Sequence, residues 1–254
     1  MKAKIEWNGR WYACDLSKGV DLSIAFQEAF NQVNCFYAPF FSSQPVRMDG
    51  FVGSVKEGGP VNFYNAFINV HGSGTHTECV GHISPVRESV NQVLKNYFGV
   101  AQLITLYPTK MENGDRAITA QSLRVLMEDE ACAEFVILRT LPNPESKRNL
   151  HYSGTNPPYM EADAVDYLIR LGMKHILLDL PSVDREQDGG ALAGHRRFWK
   201  GERADECTIT ELIYVPDHLK DGYYFINLQL ASMEQDAAPS RPVLFALNET
   251  GTAA

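Results

Sequence analysis

Apolar and polar positions along the chain change period several times, and each change marks an element. Residues 3–15 read as a β-hairpin turning at Asn8-Gly9. Ile24, Phe26, Ala29, Phe30 and Val33 recur at roughly helical spacing, which predicts a helix over 22–33. Residues 64–71 (YNAFINVH) alternate apolar and polar like a strand, and 100–107 is a second strand candidate. Thr119 is placed to cap a helix over 120–132, with Leu123, Leu126 and Met127 on one face. Phe135–Arg139 (FVILR) then reads as a short buried strand. Residues 161–171 read as a helix closed by Gly172, and 176–180 as an apolar strand. Residues 223–231 and 243–247 return to β. Helix and strand alternate through the middle of the chain, which predicts α/β layering on a parallel or mixed sheet. No repeat, low-complexity tract or linker interrupts the pattern, so one domain over residues 1–254 is expected.

Composition narrows the partners. Apolar residues make up 44% and charged residues 21% of the 254, ordinary values for a globular protein. The net charge of −8, without a basic block, argues against nucleic acid and anionic membrane as partners and leaves a small molecule. The 5 cysteines are scattered and form no C-x-x-C pair, which favours reduced thiols in a cytoplasmic protein over a disulfide framework. The first residues lack the apolar core of a signal peptide, and no run of about 18 apolar residues suggests a membrane span.

The chemistry concentrates in one place. Of the 7 histidines, His71, His76 and His82 fall within twelve residues, together with Glu78. In an extended segment His76, Glu78 and His82 share parity and point the same way. Two nitrogen donors and a carboxylate on one face suit a borderline divalent cation such as zinc. His71 is out of phase with them. The Gly72-Ser73-Gly74 stretch permits unusual φ values and a parity break, which could turn His71 toward the same site. By pattern alone, His195 reads as a surface loop residue beside Arg196 and Arg197, and Glu211 as a solvated strand-edge residue. Asp179 and Asp184 read as hydrogen-bonding structural residues, and Cys79 is turned away from the cluster. Phe36, Tyr37, Phe40 and Phe41 suit either a core or the wall of an apolar substrate pocket, for which Phe40 and Phe41 are the candidates.

Residues 74–82, GTHTECVGH, resemble the H-x-G-T-H-x-D-x-P-x-H signature of the cyclase family of kynurenine formamidase-like metal-dependent hydrolases, which includes isatin hydrolase. Gly74, Thr75, His76 and His82 match. Glu78 stands at the aspartate, Val80 at the proline and Gly72 at the first histidine, with His71 one position earlier. Other stretches resemble family segments in order: 14–17 (CDLS), 136–140 (VILRT), 178–184 (LDLPSVD), His195, and 209–212 (ITEL).

The resemblance implies a β-rich, barrel-like mixed sheet with helices packed outside, the cyclase-like swivelling β/β/α architecture. It implies a metal site of His76, Glu78, His195 and Glu211, with zinc the first choice and manganese the second. One or two ions are implied, depending on whether His71 replaces the histidine missing at Gly72. It makes His82 the proton-transfer residue, a role that suits an imidazole near neutral pH. Thr75 is expected to help hold the oxyanion. The implied reaction is hydrolysis of a C–N bond in a small amide, an aryl formamide or a cyclic amide, by a homodimer or higher homo-oligomer. Hydrolysis of an ester or lactone, or binding without hydrolysis, are the alternatives.

Overall fold

Strands β1 (Lys2–Trp7) and β2 (Arg10–Asp15) form the N-terminal hairpin, paired antiparallel from Lys2 opposite Asp15 to Trp7 opposite Arg10. Asn8 and Gly9 both lie at positive φ, 47° and 68°, as a two-residue turn matched to strand twist requires. The computed structural model describes residues 1–127 and 133–252.

The hairpin is an extension of a closed barrel. β3 (Val20–Asp21), β4 (His76–Glu78), β5 (Phe98–Leu106), β6 (Phe135–Thr140), β7 (His175–Leu178), β8 (Thr208–Glu211), β9 (Gly222–Leu230) and β10 (Ala237–Thr252) complete the sheet. Around the barrel the order is β10-β9-β5-β6-β7-β8-β4, and β4 pairs with β10 to close it. β5 to β8 run parallel and the other pairings are antiparallel, so the sheet is mixed. The far half of β10 leaves the barrel to pair with β2.

Two apolar layers follow from the strand period. Every residue of β6 is buried. Phe135 and Ile137 point into the barrel with Leu103, Leu177 and Ile226, whereas Val136 and Leu138 point outward. The outward layer meets helices α2 (Ala120–Leu126), α3 (Ala162–Arg170) and α4 (Ala193–Phe198) through Leu123, Val165, Leu168 and Phe198. A short α1 (Val90–Val93) packs beside β4 near Cys79. Gly172, at φ 79°, ends α3 as expected. Thr119 caps α2 and accepts from Ser122 N. The part of the expected helix over 128–132, Cys132 included, lies outside the described residues.

Two expectations are corrected. Residues 22–33 are not a helix. Leu22 accepts from Tyr214 N, and Ile24 exchanges two hydrogen bonds with Thr75, so non-local partners take the backbone groups a helix needs. The expected strand over 64–71 ends at Phe67 and pairs with Ser42–Pro45 outside the barrel, which leaves Phe63, Tyr64, Phe67 and Ile68 exposed. Among the described residues no helix is long and apolar enough to cross a membrane.

Candidate metal centre

The candidate centre lies where β4 meets β8. His76 and Glu78 are two apart on β4 and share its outward face. Glu211 on β8 lies directly opposite His76 in register, and its Oε2 is 3.5 Å from His76 Nε2. Thr77 and Thr210 point the other way and meet at 2.7 Å. The strand stops at Glu78, and Cys79 points away, its Sγ toward Glu88 O. A 3-10 turn over Val80–His82 then carries His82 to the mouth. Strand parity therefore accounts for His76 and Glu78 only; His82 arrives by the turn.

His195 comes from α4 and is 2% exposed, not the surface loop residue its neighbours suggest. Its Nδ1 is 2.6 Å from Asp184 Oδ2, and its Nε2 is 2.9 Å from Glu78 Oε1 and 4.0 Å from Glu211 Oε1. Asp184 also accepts from Gly194 N and His195 N, which fixes the start of α4 over the site.

His71 points into the same site, with Nδ1 3.2 Å from Glu78 Oε2 and its ring 4.4 Å from that of His82. The cause is not unusual glycine dihedrals, since neither Gly72 nor Gly74 has positive φ. Close approach explains both glycines. A Cβ at 72 would sit 2.2 Å from Ala38 Cβ, and one at 74 would sit 2.7 Å from the Phe26 ring. Position 72 faces the 35–38 segment, so a histidine there has no room. Asp236 completes the cluster and carries no sequence signal. Its Oδ2 is 3.0 Å from His71 Nε2 and 3.4 Å from His82 Nδ1.

Four histidines and four carboxylates thus converge. Burial opposes charge on His71, but Asp236 and Glu78 outweigh it and raise its pKa to about 10. Burial likewise opposes charge on His195, and Asp184 with Glu78 raises it to about 10. Glu78, 1% exposed, is disfavoured as an anion by burial yet held well below the ordinary carboxylate range by His195 and His71. The site stabilises positive charge, whether carried by protons or by a cation.

His76 tests the fit of a metal. Its Nδ1 is 3.0 Å from Gly74 O, which can only accept, so Nδ1 carries the proton. Nε2 is buried without a hydrogen-bond partner among the described residues, and in the neutral ring its lone pair faces a carboxylate oxygen. Two acceptors facing each other leave a place for a cation. Among the described residues three donor groups, His71/His76/Glu78, Glu78/His82/His195 and His71/His82/Asp236, each have ligand atoms within 4.8 Å of one another. Glu78 belongs to the first two.

The family model described as "Putative cyclase" matches residues 20–185, well over half of the chain. The chain belongs to the cyclase family. The match includes the motif and Asp184 and ends before His195, Glu211 and Asp236. A kynurenine formamidase of Bacillus cereus is 27% identical over 194 residues, 75% of this chain and 83% of the relative. One of Bacillus cytotoxicus is 26% identical over 192 residues, 74% of this chain and 82% of the relative. The fold is shared with a predicted metal-dependent hydrolase of Bacillus stearothermophilus at 19% identity and TM-score 0.60, covering 90% of this chain and 98% of the other. It is also shared with an isatin hydrolase bound to the product analogue thioisatinate, at 16% identity and TM-score 0.63, covering 90% and 92%. The chain is thus a member of a family of hydrolytic enzymes, with the mixed barrel expected of it.

The remaining candidates of this cyclase-family chain separate by burial. Thr75 is buried, and its hydroxyl accepts from Ile24 N and donates to Leu212 O. It stitches the 22–24 segment to the β8 end and has no proton left for an oxyanion, which corrects that expectation. Phe41 packs on Phe26, whose ring covers Gly74, so it stands beside the motif. Phe40 is half-exposed against Phe30 and His151. Phe36 and Tyr37 are exposed, at φ 58° and 53°, and do not belong to the core. A groove of about 880 Å³ lies elsewhere, beside α2 between Tyr107 and Leu126, and none of the site residues lines it. The cluster of donors, not the size of the groove, locates the chemistry.

Proposed function

We propose that this chain is a metal-dependent hydrolase that cleaves the C–N bond of a small amide, an aryl formamide or a cyclic amide. The observation that carries the reading is the buried, partnerless Nε2 of His76 facing Glu211, beside a Glu78 shared by two donor groups. The curated relatives named kynurenine formamidase support the C–N bond as the one cleaved.

His76, Glu78, His195 and Glu211 would hold one divalent ion, and His71 with Glu78 would supply donors for a second. Zinc suits this mix of nitrogen and oxygen donors, with manganese the second choice. The metal, when bound, would polarise the substrate carbonyl and lower the pKa of water from about 15.7 toward roughly 7. His82 stands at the mouth, its side chain 31% exposed, with Nδ1 toward Asp236 and Nε2 left for substrate. It accepts the proton released by the attacking water at Nε2 and returns it to the departing nitrogen. Phe41, packed on Phe26, offers aromatic surface beside the motif for the organic part of the substrate, and Phe40 adds the aromatic surface it forms with Phe30 and His151.

Metal analysis of the purified protein, combined with a panel of aryl formamides, cyclic amides, esters and lactones, tests the reading. Bound zinc or manganese with amide turnover that a chelator abolishes is the expected result. Turnover confined to esters or lactones makes the chain an ester hydrolase. Bound metal without any turnover leaves a binding protein.

A further inference from the structure

His71 is one position away from where the family motif carries its first histidine, and a ring arriving from a different Cα needs an anchor of its own. We infer that Asp236 is that anchor: its carboxylate receives His71 Nε2–H and thereby aims His71 Nδ1 at the metal place beside Glu78. The inference rests on the metal-dependent reading above and adds a positioning residue that the motif does not contain.

Three observations carry it. First, the two ring nitrogens of His71 are divided between two carboxylates, Nε2 to Asp236 Oδ2 at 3.0 Å and Nδ1 to Glu78 Oε2 at 3.2 Å. A metal-ligating histidine commonly donates its other N–H to a carboxylate, which fixes ring orientation and tautomer. Second, Asp236 is held rigidly. Its carbonyl accepts from Cys79 N at 3.0 Å, and the next residue, Ala237, lies opposite Glu78 in the β4–β10 ladder. Third, the approach depends on Gly81, where a Cβ would stand 3.2 Å from Asp236 Cβ and 2.1 Å from Glu88 O. The His71 side chain is 29% exposed, so the ring is not confined by packing alone. The same Asp236 oxygen reaches His82 Nδ1 at 3.4 Å, so it also sets which nitrogen His82 turns to substrate.

The test is zinc affinity, measured by competition with a chromogenic chelator on the full chain, with stoichiometry at saturating zinc. Asp236→Ala removes only the side chain, because the bond from Cys79 N goes to the backbone carbonyl. It is expected to weaken zinc binding about 10–100-fold. His71→Ala should weaken it at least as much, and the double variant should be no weaker than His71→Ala alone. Asp236→Asn, which can still accept from Nε2, should restore part of the loss, which a merely structural defect would not show. Wild-type affinity in Asp236→Ala, or losses that add in the double variant, overturns the positioning role. Loss of a whole zinc equivalent in Asp236→Ala but not in His71→Ala makes Asp236 a ligand and overturns it too. If the wild-type chain binds neither zinc nor manganese, the metal-dependent reading itself fails and takes this one with it.

Discussion

Burial separates two residues of one short motif. Glu78 is almost fully enclosed among His71, His82 and His195, while the His82 side chain is 31% exposed at the mouth. In the proposed reaction the first holds charge and the second moves a proton. His82→Ala is therefore expected to lower turnover by about 10²–10⁴-fold while leaving bound metal nearly unchanged. Glu78→Ala should lower both. Metal content and hydrolysis rate on the same preparations check this; metal lost from His82→Ala would make His82 a ligand. At this scale the sequence showed much of the site. His76 and Glu78 are legible because a period of two is local geometry. His195 and Glu211 came only from the resemblance, since a histidine beside two arginines has no local mark of burial. Asp236 had no mark at all: what makes it part of the site is the ladder that sets Ala237 opposite Glu78.

At the scale of elements, the most informative departure is Gly72. Its missing Cβ lets the loop pass Ala38, and the family's first histidine cannot be accommodated there. Gly72→His is expected to destabilise the chain by about 1–3 kcal/mol through overpacking, without adding a ligand. Thermal melts with metal titration check it, and a variant as stable as the parent that binds more metal would refute the account. The β6 segment shows the opposite case. Its unbroken apolar run predicted a strand buried on both sides, and each face does meet its own layer. Ile137→Ala, inside the barrel, should cost about 2–5 kcal/mol in denaturant unfolding. The helix expected over 22–33 failed because apolar spacing is ambiguous in a short segment. Hydrogen bonds to Thr75, Tyr214 and Pro242, all far along the chain, decided for an extended path.

At the scale of the molecule, a strand of three residues closes the barrel and carries two of the site's side chains, His76 and Glu78. β4 bridges β8 and β10, so the pairings that close the barrel also set His76 opposite Glu211 and Glu78 opposite the residue after Asp236. Stability also carries a pH signature from a histidine outside the site. His175 is buried against Phe135, and Nδ1 meets Thr208 Oγ1. Burial, with Lys174 nearby, pushes its pKa down from 6.5 to about 3. The unfolded chain therefore takes up this proton first as pH falls. The contribution of neutral His175 is fully present above pH 6.5 and is lost between 6.5 and about 3. The slope approaches about 1.4 kcal/mol per pH unit. Unfolding midpoints at pH 7 and pH 5 should differ less in His175→Asn than in the parent; equal differences would remove His175 as the cause.

What the sequence determined by itself were the features with a short physical range. The Asn8-Gly9 turn, the cap at Thr119, the Gly172 stop, the buried strand at Phe135 and the His76–Glu78 pair each depend on a few neighbouring residues and their dihedral preferences. What only the tertiary structure decided has a long range. The extended run at 22–24, the inward turn of His71, the burial of His195 under α4 and the arrival of Asp236 depend on which strands become neighbours when the barrel closes. That choice is made by burying two apolar layers at once, and no window of sequence contains both layers.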